Sequence, residues 1–303
     1  VGLCLAKALS PLGLSVGVLE SSSSETLANP KSDGREIALT HASRRLLEHL
    51  DLWSRLPDEA ISELKDAAVF DGESDQPMRI THEDGGCECL GWLVANQQIK
   101  KAAFDAVCSE TQTHIETEVT VSSSYLANDH RVLVLSDGRE IHAQVVIASD
   151  SRFSNLRRVS GIGSRMRDYG RSMLLAKMHV EKDHEHVAWE WFAYDRTLAL
   201  LPLNESKASA VITLPHEQIQ QLADLEEAEF NEKVTHLFRH RFGEMALEGE
   251  RHIQPLMGVW PDRLIGERLA ILGDAAVGMH PVTAHGFNLG LKGVEILSEE
   301  LAR

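Results

Sequence analysis

The sequence lacks any apolar run near the roughly eighteen residues of a membrane span, and it does not start with the basic lead and apolar block of a signal peptide. Positive charge is also scarce, since 30 Lys and Arg stand against 46 Asp and Glu, giving a formal net charge of −16. Nucleic acids and anionic membrane surfaces reward clustered Lys and Arg, so neither is an expected partner. These absences predict a soluble, cytoplasmic protein.

Cysteine is rare, and the four cysteines (Cys4, Cys87, Cys89 and Cys108) favour reduced thiols in a cytosolic protein. Cys87 and Cys89, with the nearby His82, could be considered as metal ligands. The sequence has no second ligand pair at the spacing of a zinc site, so a polar loop is the better interpretation. A group of three histidines, His179, His184 and His186, is expected on the solvated surface. We therefore assign no metal site.

The most informative segment runs from Gly273 to Leu291, GDAAVGMHPVTAHGFNLGL, and joins a strand to a helix. The apolar strand Arg268 to Leu272 precedes it, and the apolar spacing from Gly286 to Leu301 predicts a helix. Asp274 is therefore delivered to a helix start, where free N–H groups can face a pyrophosphate. Its carboxylate can accept a hydrogen bond from a ribityl hydroxyl. These residues favour a flavin dinucleotide as the ligand, and an ordinary strand-to-helix turn is the alternative.

The first twenty residues match the second half of a dinucleotide-binding fingerprint. They predict a helix from Val1 to about Leu12 and a strand from Val16 to Leu19. In the full fingerprint, glycines open the helix and an acid about 20 residues on binds a ribose hydroxyl. Gly2 fits the last glycine and Glu20 fits the acid. The first strand and first two glycines would precede Val1, so we expect a fragment of a longer chain.

The later segment resembles the second flavin motif of the para-hydroxybenzoate-hydroxylase-like monooxygenases, GDAAHxxHPxxGQGxN. The matching residues are Gly273, Asp274, Ala275, Ala276, His280, Pro281, Gly286 and Asn288. Val277, Ala284 and His285 differ from it. Within this family the sequence most resembles the ubiquinone-biosynthesis hydroxylases, in particular the branch that acts on demethoxyubiquinol-type rings. The resemblance spans the chain.

Three further segments extend this resemblance. Residues 145–157 resemble the strand and loop GADGxxSxxR, which implies a cofactor role for Asp150. Ser151 replaces a glycine there, and we expect it to be strained if the turn requires positive φ. Arg35, in GREIALTHAS, corresponds to an arginine that approaches the flavin from the substrate side. Asn96 falls where the family has a Gln or Asn that touches the cofactor.

The resemblance implies an enzyme that binds FAD and takes electrons from transiently bound NAD(P)H. It implies hydroxylation of an aromatic or quinol ring through a flavin C4a-hydroperoxide, with molecular oxygen and a polyprenylated phenol or quinol as substrates. Such a substrate is compatible with peripheral association with the inner membrane or a biosynthetic complex. A flavin dehydrogenase or reductase, and a non-catalytic flavoprotein-like scaffold, are the alternatives.

The implied site residues form two groups. His280 and His285 are the catalytic candidates, because an imidazole can hydrogen-bond the substrate or relay its proton near neutral pH. A structural role for His280, fixing the loop before Pro281, is the alternative. The cofactor-binding candidates are Gly2, Glu20, Arg35, Asn96, Asp150, Gly273, Asp274, Pro281, Gly286 and Asn288.

The expected fold is α/β, with a Rossmann-like FAD-binding domain interleaved with a substrate domain built on an antiparallel sheet. The FAD-binding domain is predicted at residues 1–63, 93–163 and 264–303, and the substrate-binding domain at 64–92 and 164–263. The second insertion predicts several strands and one helix from about Glu217 to Phe242. Residues Gln112 to Ile147 predict three strands, with a hairpin turn at Asp137 and Gly138.

Overall fold

The computed structural model describes residues 1–279 and 285–303. Helices in these ranges are α1 (Gly2–Leu9), α2 (Ser24–Ala28), α3 (His41–His49), α4 (Asn96–Cys108), α5 (Asn155–Val159), α6 (His216–Ala223), α7 (Glu227–Leu237) and α8 (His285–Leu301). The first strands are β1 (Val16–Leu19), β2 (Glu36–Leu39), β3 (Ile61–Leu64), β4 (Asp66–Asp71), β5 (Met78–Ile80), β6 (Gly91–Ala95), β7 (Thr113–Glu116), β8 (Val121–Ala127) and β9 (His130–Leu135). The later strands are β10 (Glu140–Ala143), β11 (Val146–Ala148), β12 (Ser164–Val180), β13 (Val187–Phe192), β14 (Thr197–Pro202), β15 (Lys207–Pro215), β16 (Met245–Pro261), β17 (Ile265–Gly266) and β18 (Leu269–Ile271).

The part of the fold that carries the flavin motifs combines parallel strand pairs with packed helices. Strand β1 pairs in parallel with β7, and β11 pairs in parallel with β18. Apolar side chains of α1, α3, α4 and α8 share one buried core. Parallel strands end at the same edge of a sheet, so the loops after β11 and β18 lie side by side. The predicted α/β class is confirmed.

The second insertion and the hairpin β4–β5 form one seven-stranded sheet, in the order β16-β12-β15-β14-β13-β4-β5. Its pairs are antiparallel except β13 with β4, which is parallel. One face of this sheet packs under α6 and α7 around Phe70, Met178, Trp191 and Phe230. We call the opposite face, which these helices do not cover, the open face.

A three-stranded sheet, β2-β6-β3, lies next to the large sheet. Its register places Ala38, Leu93 and Ser62 in one row on one side. The Ser62 hydroxyl accepts a hydrogen bond of 3.0 Å from the backbone N–H of Asn204, which follows β14. That side of the small sheet therefore faces the large sheet.

The predicted helix from Glu217 to Phe242 is wrong as a single element. It is divided into α6 and α7 at residues 224–226, where Glu226 has an extended backbone. The guanidinium of Arg251 donates hydrogen bonds to the carbonyls of Ala223 and Leu225, at 2.7 and 2.5 Å. A side chain that is distant in sequence thus bonds to carbonyls left free at the end of α6. The local spacing of apolar residues does not reveal this contact.

The prediction of three strands between Gln112 and Ile147 is also wrong, since this region forms β7 to β11. Glu118 has a φ of 61° and ends the run that looked continuous. The N–H of Val119 then bonds to the carbonyl of Glu20, while β11 leaves the hairpin to pair with β18. The predicted turn at Asp137 and Gly138 does join β9 to β10.

One of the three histidines expected at the surface is buried. His184 is 2% exposed, and its Nε2 lies 3.0 Å from the carbonyl oxygen of Lys207. Burial lowers the pKa of His184. His184 lies in the turn before β13, and its partner Lys207 is the first residue of the distant strand β15, so the local sequence could not identify this contact.

Candidate flavin site

The start of α1, the end of β11 and the end of β18 meet at one place. A Cβ at Gly2 would clash with Ser149 Oγ, just beyond β11. A Cβ at Gly273 would lie 3.2 Å from Val1 Cβ, and the N–H of Leu272 bonds to the carbonyl of Ala148 at 2.8 Å. Three of the segments singled out in the sequence are therefore in contact.

The turn that follows β18 depends on a glycine. Gly273 has a φ of 63°, a conformation that costs a non-glycine residue about 1 kcal/mol or more. The short helical turn Gly273–Ala275 then exposes Asp274, whose side chain is 45% accessible. The carboxylate lies 3.9 Å from Arg152 Nη2, and within the described residues it accepts no hydrogen bond. Asp274 is thus available to a ligand hydroxyl.

Glu20 directly follows β1, at the position expected for a ribose-binding acid. Its Oε1 accepts hydrogen bonds from the Ser22 N–H at 2.8 Å and the Ser21 hydroxyl at 3.2 Å. Among the described residues, Oε2 has no hydrogen-bond donor. Within residues 1–279 and 285–303, no capping side chain bonds to the first turn of α1. A fixed carboxylate with one free oxygen and an uncapped helix start suit the ribose and pyrophosphate of a dinucleotide.

Asp150 has a structural task in the fold. Its Oδ2 accepts hydrogen bonds from the backbone N–H groups of Asn155, at 2.9 Å, and Leu156, at 3.4 Å, at the start of α5. The Asn155 amide in turn donates to the carbonyl of Val121 at 2.6 Å. These bonds fix the loop after β11, while the cofactor role of Asp150 stays a prediction.

A buried arginine joins the two loops. Arg157 is 2% exposed and donates to the carbonyls of Ala275 at 2.8 Å and Arg152 at 3.2 Å. Burial lowers the pKa of this guanidinium. These bonds, with a third of 3.2 Å to the Ser164 hydroxyl, hold the Asp150 loop against the Asp274 turn, so Arg157 positions both carboxylates.

The strain expected at Ser151 is absent. Ser151 is not among the residues of positive φ in the described chain. Its hydroxyl instead accepts a hydrogen bond of 3.2 Å from the N–H of Phe153, and its carbonyl accepts one from Ser154. The serine stabilises a turn of its own, so the glycine usual in the family is not needed here.

Arg35 and Asn96 converge on a residue that the sequence analysis missed, Asp33. Arg35 Nη2 and Asn96 Nδ2 each lie 2.7 Å from Asp33 Oδ2. Burial on its own raises the pKa of Asp33, but the hydrogen bonds and charge of Arg35 and the Asn96 amide outweigh it and hold the pKa at about 2. Only its position two residues before Arg35 hinted at this role.

Asn288 connects α8 to the small sheet. Its amide donates to the carbonyl of Ala38 at 2.8 Å, and its Oδ1 accepts from the N–H of Thr40 at 3.1 Å and the Ser43 hydroxyl at 2.6 Å. His285 and Gly286 begin α8. The predictions for His280 and Pro281 lie outside the described residues.

Comparisons with known proteins identify a family and several relatives. A family described as "FAD binding domain" matches residues 1–303. The ubiquinone hydroxylase UbiM of Neisseria meningitidis is 40% identical, over 98% of this chain and 66% of its own length. The ubiquinone hydroxylase UbiL of Rhodospirillum rubrum is 30% identical, over 99% and 70%. The 3-demethoxyubiquinol 3-hydroxylase of Escherichia coli is 26% identical, over 99% and 77%.

Solved structures share the fold. The crystal structure of PqsL from Pseudomonas aeruginosa in complex with 2-aminobenzoylacetate has a TM-score of 0.80 at 18% identity, covering 98% of this chain and 82% of its own. The tetrameric form of 2-methyl-3-hydroxypyridine-5-carboxylic acid oxygenase has a TM-score of 0.79 at 16% identity, covering 99% and 79%. The chain spans about two thirds to three quarters of the length of the relatives named above.

Proposed function

Since the chain belongs to the FAD-binding-domain family, we propose that it forms the greater part of an FAD-dependent monooxygenase that hydroxylates an aromatic or quinol ring in ubiquinone biosynthesis. The observation that carries this proposal is the meeting of α1, the Asp150 loop and the Asp274 turn beside a sheet with an uncovered face. The resemblance to ubiquinone hydroxylases supports the ring chemistry.

Within this proposal, different polar groups bind different parts of the cofactor. Glu20 Oε2 accepts a hydrogen bond from a ribose hydroxyl, and the start of α1 faces the pyrophosphate. Asp274 accepts a hydroxyl of the ribityl chain. Gly2 allows α1 to approach β11 closely enough for these groups to reach one ligand. Bound FAD supplies the oxygen-activating chemistry, which no side chain provides.

The remaining residues act on the substrate side. Asp33 fixes Arg35 and Asn96 at the edge of the small sheet, which holds the arginine in one orientation. Asn288 holds the start of α8 against the same sheet. His280 and His285 are proposed to hydrogen-bond the ring substrate or carry its proton, since both lie in the sequence segment Gly273 to Leu291 that resembles the flavin motif. Together these groups would orient the ring and exclude water.

The substrates proposed are molecular oxygen and a polyprenylated phenol or quinol, with NAD(P)H as the transient electron donor. No helix within residues 1–279 and 285–303 combines the length and apolar character needed to cross a membrane. A prenylated ring partitions into the bilayer, so we also propose that the protein meets its substrate peripherally, at the inner membrane or in a biosynthetic complex.

Purified full-length protein tests this function. We expect a yellow protein whose oxygen uptake, with NADH or NADPH present, rises on addition of a short-tailed demethoxyubiquinol and yields a hydroxylated ring. Substrate-stimulated flavin reduction without oxygen transfer would favour a dehydrogenase or reductase instead. Protein that binds no flavin would favour the non-catalytic scaffold.

A further inference from the structure

The open face of the large sheet presents one continuous row of side chains. The strand register aligns Val69, Glu190, Ala199, Val211 and Leu175 from β4 across to β12, and His252 of β16 ends the row. Successive residues of a strand point to opposite faces, and their neighbours in sequence pack under α6 and α7. The row is therefore aliphatic except for Glu190 and the histidine at its far end.

This row faces the cofactor-binding part of the fold. At the β16 end, a Cβ on Gly34 would lie 2.6 Å from His252 Cδ2, so the loop that carries Arg35 abuts the open face. Just after β14, the backbone N–H of Asn204 donates a hydrogen bond to the Ser62 hydroxyl of the small sheet. The small sheet and the loop before it therefore lie on the same side of the large sheet as Glu190.

Glu190 has no polar partner in the described residues. Its direct neighbours across the strands are Val69 and Ala199, whose aliphatic side chains offer neither a hydrogen bond nor an opposite charge. Burial alone raises its pKa to about 7. A half-buried carboxyl without a partner costs stability, and such groups concentrate at sites where a ligand supplies the missing contact.

The other charged groups on this side of the sheet lie apart from Glu190. Asp71 is in the next row on β4, Lys177 is in the row on the other side, and His252 is at the far edge. Further along β12 and β15, Arg171, His179 and Lys207 are two rows away from the row of Glu190. Lys177 is on β12, three strand spacings or roughly 14 Å from β13. From the small sheet, Glu36 interacts electrostatically with Lys177, and burial raises the Glu36 pKa to about 7. None of these groups neutralises Glu190.

We propose that Glu190 binds the ring hydroxyl of the substrate and accepts its proton, with Val69, Ala199 and Val211 packing against the ring. This inference rests on the proposed function and deepens it. The substrate O–H bond breaks, its electron pair stays on the substrate oxygen, and the proton joins a Glu190 oxygen. After the ring is hydroxylated and its carbon has lost a proton to solvent, the phenolate oxygen takes the proton back from Glu190.

The same arrangement selects the class of ring. An aliphatic row with a single carboxyl accommodates a neutral phenol or quinol and disfavours a ring that carries a carboxylate. Proton acceptance by a group titrating near the working pH contributes about 100-fold or more to the rate in general base catalysis. Glu190 is therefore a catalytic residue in this proposal and also a determinant of specificity.

Flavin-loaded full-length enzyme tests the inference through two readouts. Calorimetry under nitrogen measures the affinity for a short-tailed methoxyhydroquinone from pH 5.5 to 8.5, and steady-state assays measure kcat/KM for its hydroxylation. In the wild type we expect both affinity and kcat/KM to rise with pH through about 7, as Glu190 ionises. Glu190→Gln should flatten both profiles and lower kcat/KM about 100-fold while retaining its flavin.

Glu250→Gln is the matched control, since Glu250 is an exposed glutamate on β16. It should behave as the wild type does. A Glu190→Gln enzyme with wild-type affinity and pH profile would overturn the inference. If the wild type binds the hydroquinone with the expected pH dependence but never hydroxylates it, the recognition role stands and the proposed function fails. If it does not bind the hydroquinone, both fail.

Discussion

At the scale of single residues, the account makes Asp274 a direct ligand of the cofactor. Its carboxylate accepts no hydrogen bond within the described chain and sits on a turn fixed by Gly273. Losing a charge-assisted hydrogen bond costs roughly 1.5 to 3 kcal/mol. We expect Asp274→Ala to lower FAD affinity about tenfold or more, measured as flavin bound per chain. Asp75→Ala, in the exposed β4–β5 turn, should leave flavin content unchanged, and equal affinity in all three proteins would contradict the role.

The raised pKa of Glu190 also leads to a prediction about the pH dependence of stability, which can be tested without an activity assay. Its folded-state pKa is raised to about 7, above the value of 4.5 expected when the chain unfolds. The unfolded state therefore ionises first, and stability falls as pH rises from about 4.5 to 7. Glu190→Gln should remove roughly 1 to 2 kcal/mol of this decline. Melting temperatures measured from pH 5 to 8 should show a flatter profile for the variant, and parallel profiles would refute the burial argument.

At the scale of elements, the loop after β11 distinguishes this chain from the motif it resembles. Ser151 does not adopt positive φ, and its hydroxyl accepts a hydrogen bond from Phe153. Restoring the family's glycine by Ser151→Gly should therefore destabilise the protein by about 0.5 to 1 kcal/mol, because the hydrogen bond is lost and the unfolded chain gains freedom. Urea denaturation measures the difference. A more stable Ser151→Gly variant would indicate that the turn is strained after all.

The sequence predicted the elements whose signals are local. Period and spacing located α1, β1, α8 and the hairpins, and the motif residues located the turn at Gly273. Elements that depend on distant partners were missed. Arg251, on β16, bonds to the carbonyl at the end of α6. The pairing of β11 with β18 separates β11 from β10, although the two read as one strand in the sequence. Asp33 escaped notice for the same reason, since its importance comes from Asn96, distant in sequence.

At the scale of the whole molecule, long-range hydrogen bonds connect the flavin motifs to one another and the small sheet to the large one. Arg157 holds the Asp150 and Asp274 loops together, and Asp33 holds Arg35 and Asn96 at the small sheet. One row of the open face, from Val69 to Leu175, is aliphatic except for Glu190. This division, with cofactor groups on loops and substrate groups on a sheet, explains how one chain could hold a polar dinucleotide beside an apolar ring.

The most direct test of the central claim is isotopic. Full-length protein is supplied with FAD, NADH or NADPH, a short-tailed demethoxyubiquinol and ¹⁸O-labelled oxygen gas, and the product is analysed by mass spectrometry. A monooxygenase inserts one atom of molecular oxygen into its substrate, so the account predicts a hydroxylated ring with one ¹⁸O atom per molecule. A ring that is oxidised without gaining ¹⁸O, or one that is recovered unchanged by flavin-loaded protein, would contradict it.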